Sequence, residues 1–558
     1  MNMDLRNTGG PGDDPDAILA GMSLADKIGQ MLMCGFEGTV LTDKVRELVA
    51  TGKIGGIIYF ARNVESPEQV ARLTASLQRA ALEGGTPPLF ISIDQEGGMV
   101  ARVTEGVALM PGGMAIAAAG SEADAYEAAF VSGNELAAMG INLNYAPVMD
   151  VNNNADNPVI GVRSFGELPQ RVADFGVATL RGFQDAGVAA TAKHFPGHGD
   201  TAVDSHLDLP TVPHDRTRME QVELVPFRRA IAEGVDAMMS AHIYFPALEP
   251  EKLPVTLSKT VLTGLLREEL GFEGIIMTDC MEMNAIAEHY GTVEASVMAI
   301  EAGADMILIS HRADRQLAAI AAIGRAVAEG RLSEARLDVS VRRLLALKAK
   351  RGLLGGGGAV GQALSGLARC GTAAHLEVAR RISEASVTLV RNDTPVLPLR
   401  RLRTLVITAA PMVATQVDES FAPAPGLGTA LSKHGLECED RVIPSDQFAQ
   451  YSAELLAVAA AEEIGQIVLG TYNARFNPAQ AKLAEALQTL GKPMAVVALR
   501  NPYDLLVMPG VQVYAAVYES RPLALESAAK ALLGEIPFRG RLPVSLGSAY
   551  PAGWGMSL

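Results

Sequence analysis

Four cysteines in 558 residues, Cys34, Cys280, Cys370 and Cys438, are too few and too far apart for a disulfide framework, and no CxxC pair offers zinc a familiar spacing. They read as reduced thiols. Basic residues are also short: 47 Lys and Arg stand against 63 Asp and Glu, a formal net charge of −16. A chain so charged repels phosphate backbones and anionic bilayers, and its scattered lysines and arginines form no basic stripe, which excludes a nucleic-acid role. No segment is long and apolar enough to span a bilayer. The N-terminus carries Asp13, Asp14 and Asp16 where a secretory leader needs an apolar run. The sequence therefore reads as a cytoplasmic protein with neither membrane nor nucleic acid as partner.

What is present is apolar mass and turns. Hydrophobic residues make up 49% of the chain and charged residues 20%, enough for large cores, and the length calls for two domains. From residue 29 to about residue 310, eight short apolar runs alternate with helical stretches: 29–36, 54–60, 89–94, 142–148, 189–195, 237–243, 274–279 and 305–310. Eight β/α units predict an α/β fold, a TIM-like (β/α)8 barrel whose site lies where the strands end. Asp94, Lys193, His194, His242 and Asp279 fall at those ends. A glycine run, RGLLGGGGAVGQALSG from residue 351, breaks the pattern and reads as a linker; it lacks the GK[ST] ending of a phosphate-cradling loop. Alternation resumes at 386–392, 404–410, 464–470, 493–499 and 513–518. The division is a barrel with an N-terminal extension over 1–350, a linker over 351–375 and a smaller doubly wound α/β sandwich domain over 376–558.

The densest chemistry is KHFPGHGDTAVDSHLDLP, residues 193–210. Within it Asp204 precedes His206 by two, and a carboxylate that accepts the Nδ1 hydrogen fixes the imidazole tautomer and raises its basicity for proton exchange near neutral pH. The plainer alternative is a solvated loop pair. His194, His198 and His206 invite a metal reading, but Pro196, Gly197 and Gly199 disfavour the helix that such ligands usually share, so no metal or other cofactor is expected. Asp279 follows the strand GIIMT and belongs either to the catalytic rim or to the N-cap of a helix starting near Met281. Asp94 and Arg102, in ISIDQEGGMVAR, have their own plain readings as a turn cap and a solvated cation. Cys280, one residue on from Asp279, is expected to point to the opposite strand face as a structural thiol.

Together IDQEGGMVAR (93–102), NYAPVMDVN (144–152), RSFG (163–166), KHFPGHGD with the following DSH (193–206), GFEGIIMTDCMEMNAI (271–286), SVTLVRNDTPVLPL (386–399) and FRGRLPVSL (538–546) resemble the two-domain, β-N-acetylglucosaminidase branch of family 3 glycoside hydrolases. The resemblance implies a hydrolase that removes terminal non-reducing β-linked GlcNAc from muropeptides, as in peptidoglycan recycling, or from chitooligosaccharides. It implies Asp279 as nucleophile, His206 as acid/base and Asp204 as its partner. Asp94, Arg102, Arg163, Lys193 and His194 would hold the sugar. TDCMEM departs from relatives that carry a second acidic or another small residue after the nucleophile. Rival readings are a phosphorylase with phosphate as acceptor, a non-catalytic muropeptide-binding protein and a β-glucosidase.

Overall fold

The computed structural model describes residues 14–202, 204–354, 366–411 and 426–558. The expected linker's 355–365 and the expected N-terminal extension up to residue 13 lie outside the described residues. All eight apolar runs of the first part become strands: β1 (Leu32–Cys34), β2 (Gly56–Tyr59), β3 (Phe90–Ile93), then, after a hairpin of β4 (Gln95–Gly97) and β5 (Val100–Ala101), β6 (Leu143–Asn144), β7 (Ala189–Phe195), β8 (Ala237–Ser240), β9 (Ile275–Cys280) and β10 (Met306–Ile309). They close into a barrel in the order β1-β10-β9-β8-β7-β6-β3-β2, each neighbouring pair parallel. Helical segments such as Pro67–Glu83, Pro169–Asp185 and Thr292–Ala302 return the chain between strands. The barrel strands are covered on both faces, which is why they read as unbroken apolar runs rather than alternating ones.

The two ends of the barrel use their charges differently. Asp236 and Asp305, one residue before β8 and β10, are fully buried at the N-terminal end. Asp236 pairs with Lys350 at 2.8 Å and with Arg351, and Asp305 pairs with Arg267 and Arg343 while accepting from the Ile276 amide at 3.0 Å. These carboxylates tie returning helices to the strand starts. The charges at the opposite end face a cavity.

The second sheet contains β11 (Thr388–Asn392), β12 (Thr404–Ala410), β13 (Cys438–Pro444), β14 (Gln466–Thr471), β15 (Met494–Ala498) and β16 (Val513–Ala516), in the order β11-β16-β15-β14-β12-β13. Sequence reading missed β13 because CEDRVIP is a half-exposed edge strand without an apolar run. It also missed that β11 pairs antiparallel with β16, closing one edge of an otherwise parallel sheet. Helices Leu427–Lys433 and Pro522–Leu532 form one packed set and helices Phe448–Ala460 and Pro478–Gln488 another. The core around this sheet takes in Met99, Met114, Ala118 and Val162 of the barrel portion, so the two parts meet through shared apolar packing. Among the described residues no helix is long and apolar enough to cross a membrane.

Asp504, in the turn Pro502–Val507, is fully buried in this second part. Burial pushes its carboxyl up to about 7, and the Thr471 side chain and the Arg475 and Ala474 amides offset that only in part. The native state therefore holds a proton that the unfolded chain releases near the usual carboxylate pKa, and stability falls as pH rises between the two values. Asp504→Asn should raise thermal stability, and the gain should be larger at pH 8 than at pH 5 by on the order of 3 kcal/mol. Equal effects at the two pH values in calorimetry would show that Asp504 does not titrate in this window.

Candidate active site

A cavity of about 290 Å³ opens at the C-terminal ends of the barrel strands. Seven of the eight expected site residues line it: Asp94, Arg102, Arg163, Lys193, His194, His206 and Asp279. The eighth, Asp204, stands behind His206. Its floor is a chain of charges of alternating sign. Arg102 Nη2 lies 3.4 Å from Asp94 Oδ2, and Lys193 Nζ bridges Asp94 Oδ1 and Glu96 Oε1, each at 2.7 Å. Arg163 then grips both oxygens of Glu96 through Nη2 at 2.8 Å and Nε at 2.9 Å. Burial opposes ionisation of Glu96, yet Arg163 and Lys193 hold its carboxyl well below the usual range. Glu96 escaped the sequence analysis. The available signal was its place two residues after Asp94, on the short strand β4 that leaves the barrel rim.

The loop after β7 is organised by Asp150, which is fully buried. Its Oδ1 accepts from the amides of His194 at 3.1 Å and His198 at 2.7 Å, and its Oδ2 lies 2.7 Å from His194 Nδ1. His198 spans the loop, with Nδ1 2.8 Å from Thr201 Oγ1 and Nε2 3.0 Å from Ser205 Oγ. Burial and the nearby His194 push its pKa down to about 4, so it is a neutral strut. At the far end Asp204 Oδ1 accepts from the His206 amide at 2.9 Å and lies 2.8 Å from His206 Nδ1. Burial opposes the charge on Asp204, but His206 holds the carboxyl below its ordinary value. A carboxylate accepts only, so Nδ1 carries the hydrogen and Nε2 is the nitrogen available to a ligand.

The histidine cluster does not converge on one point: each of the three Nδ1 atoms is committed to its own oxygen. Among the described residues, the donor atoms that do converge belong to Cys280, Glu282 and His311.

Asp279 sits at the end of β9. Its Oδ1 accepts from the Cys280 amide at 2.7 Å, and the helix that follows, Asn284–Ala287, is entered through Met283, so Asp279 is not its N-cap. Burial raises its pKa, but the imidazoles of His242, His194 and His206 outweigh burial and bring the carboxyl down to about 2. Cys280 corrects an expectation: it lines the same cavity as Asp279 rather than the opposite face. The pairing of β10 with β9 slips between Met277 and Cys280, and this bulge breaks strict alternation. His242 Nε2 donates to the Cys280 carbonyl at 3.0 Å and pins the bulged end.

A barrel carrying this constellation has known relatives. The profile of the glycosyl hydrolase family 3 N terminal domain matches residues 23–347. The beta-hexosaminidase A of Pseudoalteromonas piscicida is 35% identical, with 92% of each chain covered. The beta-N-acetylglucosaminidase/beta-glucosidase of Cellulomonas fimi is 31% identical over 94% of each. The structure of a glycoside hydrolase family 3 beta-N-acetylglucosaminidase from Paenibacillus sp. str. FPU-7 superposes with a TM-score of 0.89 at 47% identity, covering 94% of this chain and 99% of that one. The chain belongs to glycoside hydrolase family 3.

In this family 3 hydrolase the cavity lining comes from residues 58–311, while the second part braces it from behind. Asn152 accepts from the Gly161 amide at 3.1 Å and donates to Tyr503 Oη at 2.9 Å. Arg475 grips Asp156 through Nε at 2.6 Å and Nη2 at 3.0 Å. Arg521 Nε donates to the Gly98 carbonyl at 2.8 Å, and Glu519 accepts from the Gly112 amide at 3.0 Å, which seats the hairpin that carries Glu96. Asn473, Arg475, Asn501 and Asp504, which follow strands of the second part, do not line the cavity.

Gly161 opens the short turn Gly161–Arg163, at φ +45°, and a Cβ there would stand 2.4 Å from Asn501 Oδ1. A side chain would push the Arg163 turn off its brace. Gly161→Ala is expected to lower kcat/KM on an aryl glycoside by about 100-fold, the effect of a displacement near 1 Å, with more than about 1 kcal/mol lost in stability. Unchanged kinetics would show that Arg163 is not positioned through this contact.

Proposed function

We propose that this hydrolase is a retaining β-N-acetylglucosaminidase that releases terminal non-reducing β-linked GlcNAc, from muropeptides or chitooligosaccharides, by double displacement. The observation that carries the reading is the Asp204–His206 pair, 2.8 Å between Oδ1 and Nδ1, in a cavity that also holds the ionised Asp279. The names of the full-length relatives support the sugar. The β-glucosides cleaved by other members differ at the 2-position, so the GlcNAc assignment is a statement about substrate rather than fold.

In the first step Asp279 attacks the anomeric carbon as the glycosidic bond breaks, and His206 Nε2 delivers a proton to the departing oxygen. Asp204 stabilises the imidazolium before that transfer and keeps Nδ1 protonated throughout. In the second step the neutral His206 takes a proton from water, which attacks the same carbon and frees Asp279 with net retention. An imidazole, with an unperturbed pKa of about 6.5, suits both transfers near neutral pH without the burial a carboxylic acid would need. Asp94, Arg102, Arg163, Lys193 and His194 bind the sugar, the cations donating charge-assisted hydrogen bonds to hydroxyls and Asp94 accepting from them. Because the charges already neutralise one another along the floor, they meet the sugar pre-oriented.

Two variants test the assignment. A 2-deoxy-2-fluoro glycoside should label Asp279 in the parent protein, and Asp279→Asn should keep sugar binding while turnover is lost; label on another carboxylate would reassign the nucleophile. His206→Ala should slow substrates with poor leaving groups by about 10²–10⁴-fold and activated aryl glycosides far less in the first step. The glycosyl-enzyme should accumulate, and azide, which needs no deprotonation, should restore turnover as a glycosyl azide. If all substrates slow equally and azide rescues nothing, the loop is structural. Assays with glucosides in place of GlcNAc, and with and without inorganic phosphate, read the sugar and the acceptor.

A further inference from the structure

Cys280, Glu282 and His311 play no part in the double displacement, yet they offer a thiol, a carboxylate and an imidazole whose donor atoms all lie within 4.8 Å of one another. The juxtaposition is built by the barrel. Cys280 and Glu282 leave the end of β9, His311 leaves the end of the adjacent β10, and the bulge in their pairing turns the Cys280 side chain into the cavity. Each ligand group is also held from behind. Glu282 Oε2 accepts from the His311 amide at 2.6 Å and Oε1 from the Arg312 amide at 3.1 Å, which locks the two loops together and leaves each oxygen a further lone pair. The His311 ring leans on Phe60, centroids 5.1 Å apart. Supports of this kind orient metal ligands elsewhere.

From this arrangement we propose that Cys280, Glu282 and His311 form a binding site for a thiophilic divalent cation such as Zn²⁺, and that the bound ion blocks the substrate cavity. One sulfur, one nitrogen and one oxygen with a fourth position open to a cavity is a zinc donor set. Tetrahedral ligands at zinc bond lengths stand roughly 3.3–3.8 Å apart, so the three groups need close by no more than about 1.5 Å, within the range of side-chain torsions. On binding, the Cys280 thiol releases its proton to solvent and the S–H bond is replaced by sulfur–metal coordination. Thiolate and carboxylate then balance the dication. Of the neighbouring cations, Arg315 Nη1 lies 4.0 Å from Glu282 Oε1, and Arg62 is paired with Glu37 at 3.0 Å. All three residues line the cavity that holds Asp279, and Cys280 is its chain neighbour, so the open coordination position faces the space a substrate must occupy.

Binding is tested independently of turnover, which separates this site from the glycosidase assignment; only the blocking effect rests on that assignment. The full chain, dialysed against chelator, is titrated with Co²⁺. A thiolate-to-cobalt charge-transfer band should grow to one equivalent and be displaced by Zn²⁺, which binds more tightly in the usual order. Cys280→Ser should abolish the band, and His311→Gln, a change at an exposed position, should weaken Co²⁺ binding by at least about tenfold. In glycosidase assays Zn²⁺ should inhibit the parent protein reversibly, with chelator restoring the rate, while within Cys280→Ser the rates with and without Zn²⁺ should match. Absence of the band in the parent protein, or its persistence in Cys280→Ser, would overturn the site. A band with no inhibition would overturn the blocking role.

Discussion

The site depends first on a buried chain of charges, Arg102, Asp94, Lys193, Glu96 and Arg163, running across the mouth of the barrel. Ions removed from water are stable only when each finds its counterion at close range, and loss of one partner leaves another uncompensated. The alternation of sign achieves this with one net positive charge. It also fixes, before any ligand arrives, the direction in which each donor and acceptor faces. Such a chain contributes little to stability relative to apolar packing; its value lies in orientation. Glu96 is the element on which it turns, because it alone joins Lys193 to Arg163.

A second constraint acts on the loop after β7. This loop must present His206 to the cavity although it is rich in glycine and proline, and it achieves order through buried acceptors rather than regular structure. Asp150 gathers two backbone amides and one imidazole, and the neutral His198 ties Thr201 to Ser205. The histidines that suggest a metal centre in one dimension are thus divided by role: one against Asp150, one as a strut, one on Asp204.

The second part of the chain enters the chemistry from a distance. Its sheet follows a doubly wound order with a reversal beside β12, and the turn after β14, next to that reversal, carries Arg475 to Asp156 of the barrel. Folds of this type use such switch points as ligand crevices. Here the neighbouring loops brace the turns that carry Arg163 and Glu96.

Much was legible in the residues themselves. Barrel strands buried on both faces appear as apolar runs, and eight of them in β/α alternation predict the closed sheet. The Asp204–His206 contact was also readable, since a carboxylate two residues before an imidazole reaches it through local geometry. The motif positions of Asp94, Lys193 and Asp279 followed from strand ends. The remainder depended on pairings between segments far apart in the chain. Glu96 becomes central only because Arg163, 67 residues on, reaches it. Cys280 faces the cavity because β9 slips against β10, and β13 exists because β12 offers it an edge. A one-residue change of register reverses which side chains face inward, and register is set by the neighbouring strand. Sequence alone determined the alternation, the local pair and the strand ends; the tertiary structure decided which charges meet, which face Cys280 takes and how the second part holds the first.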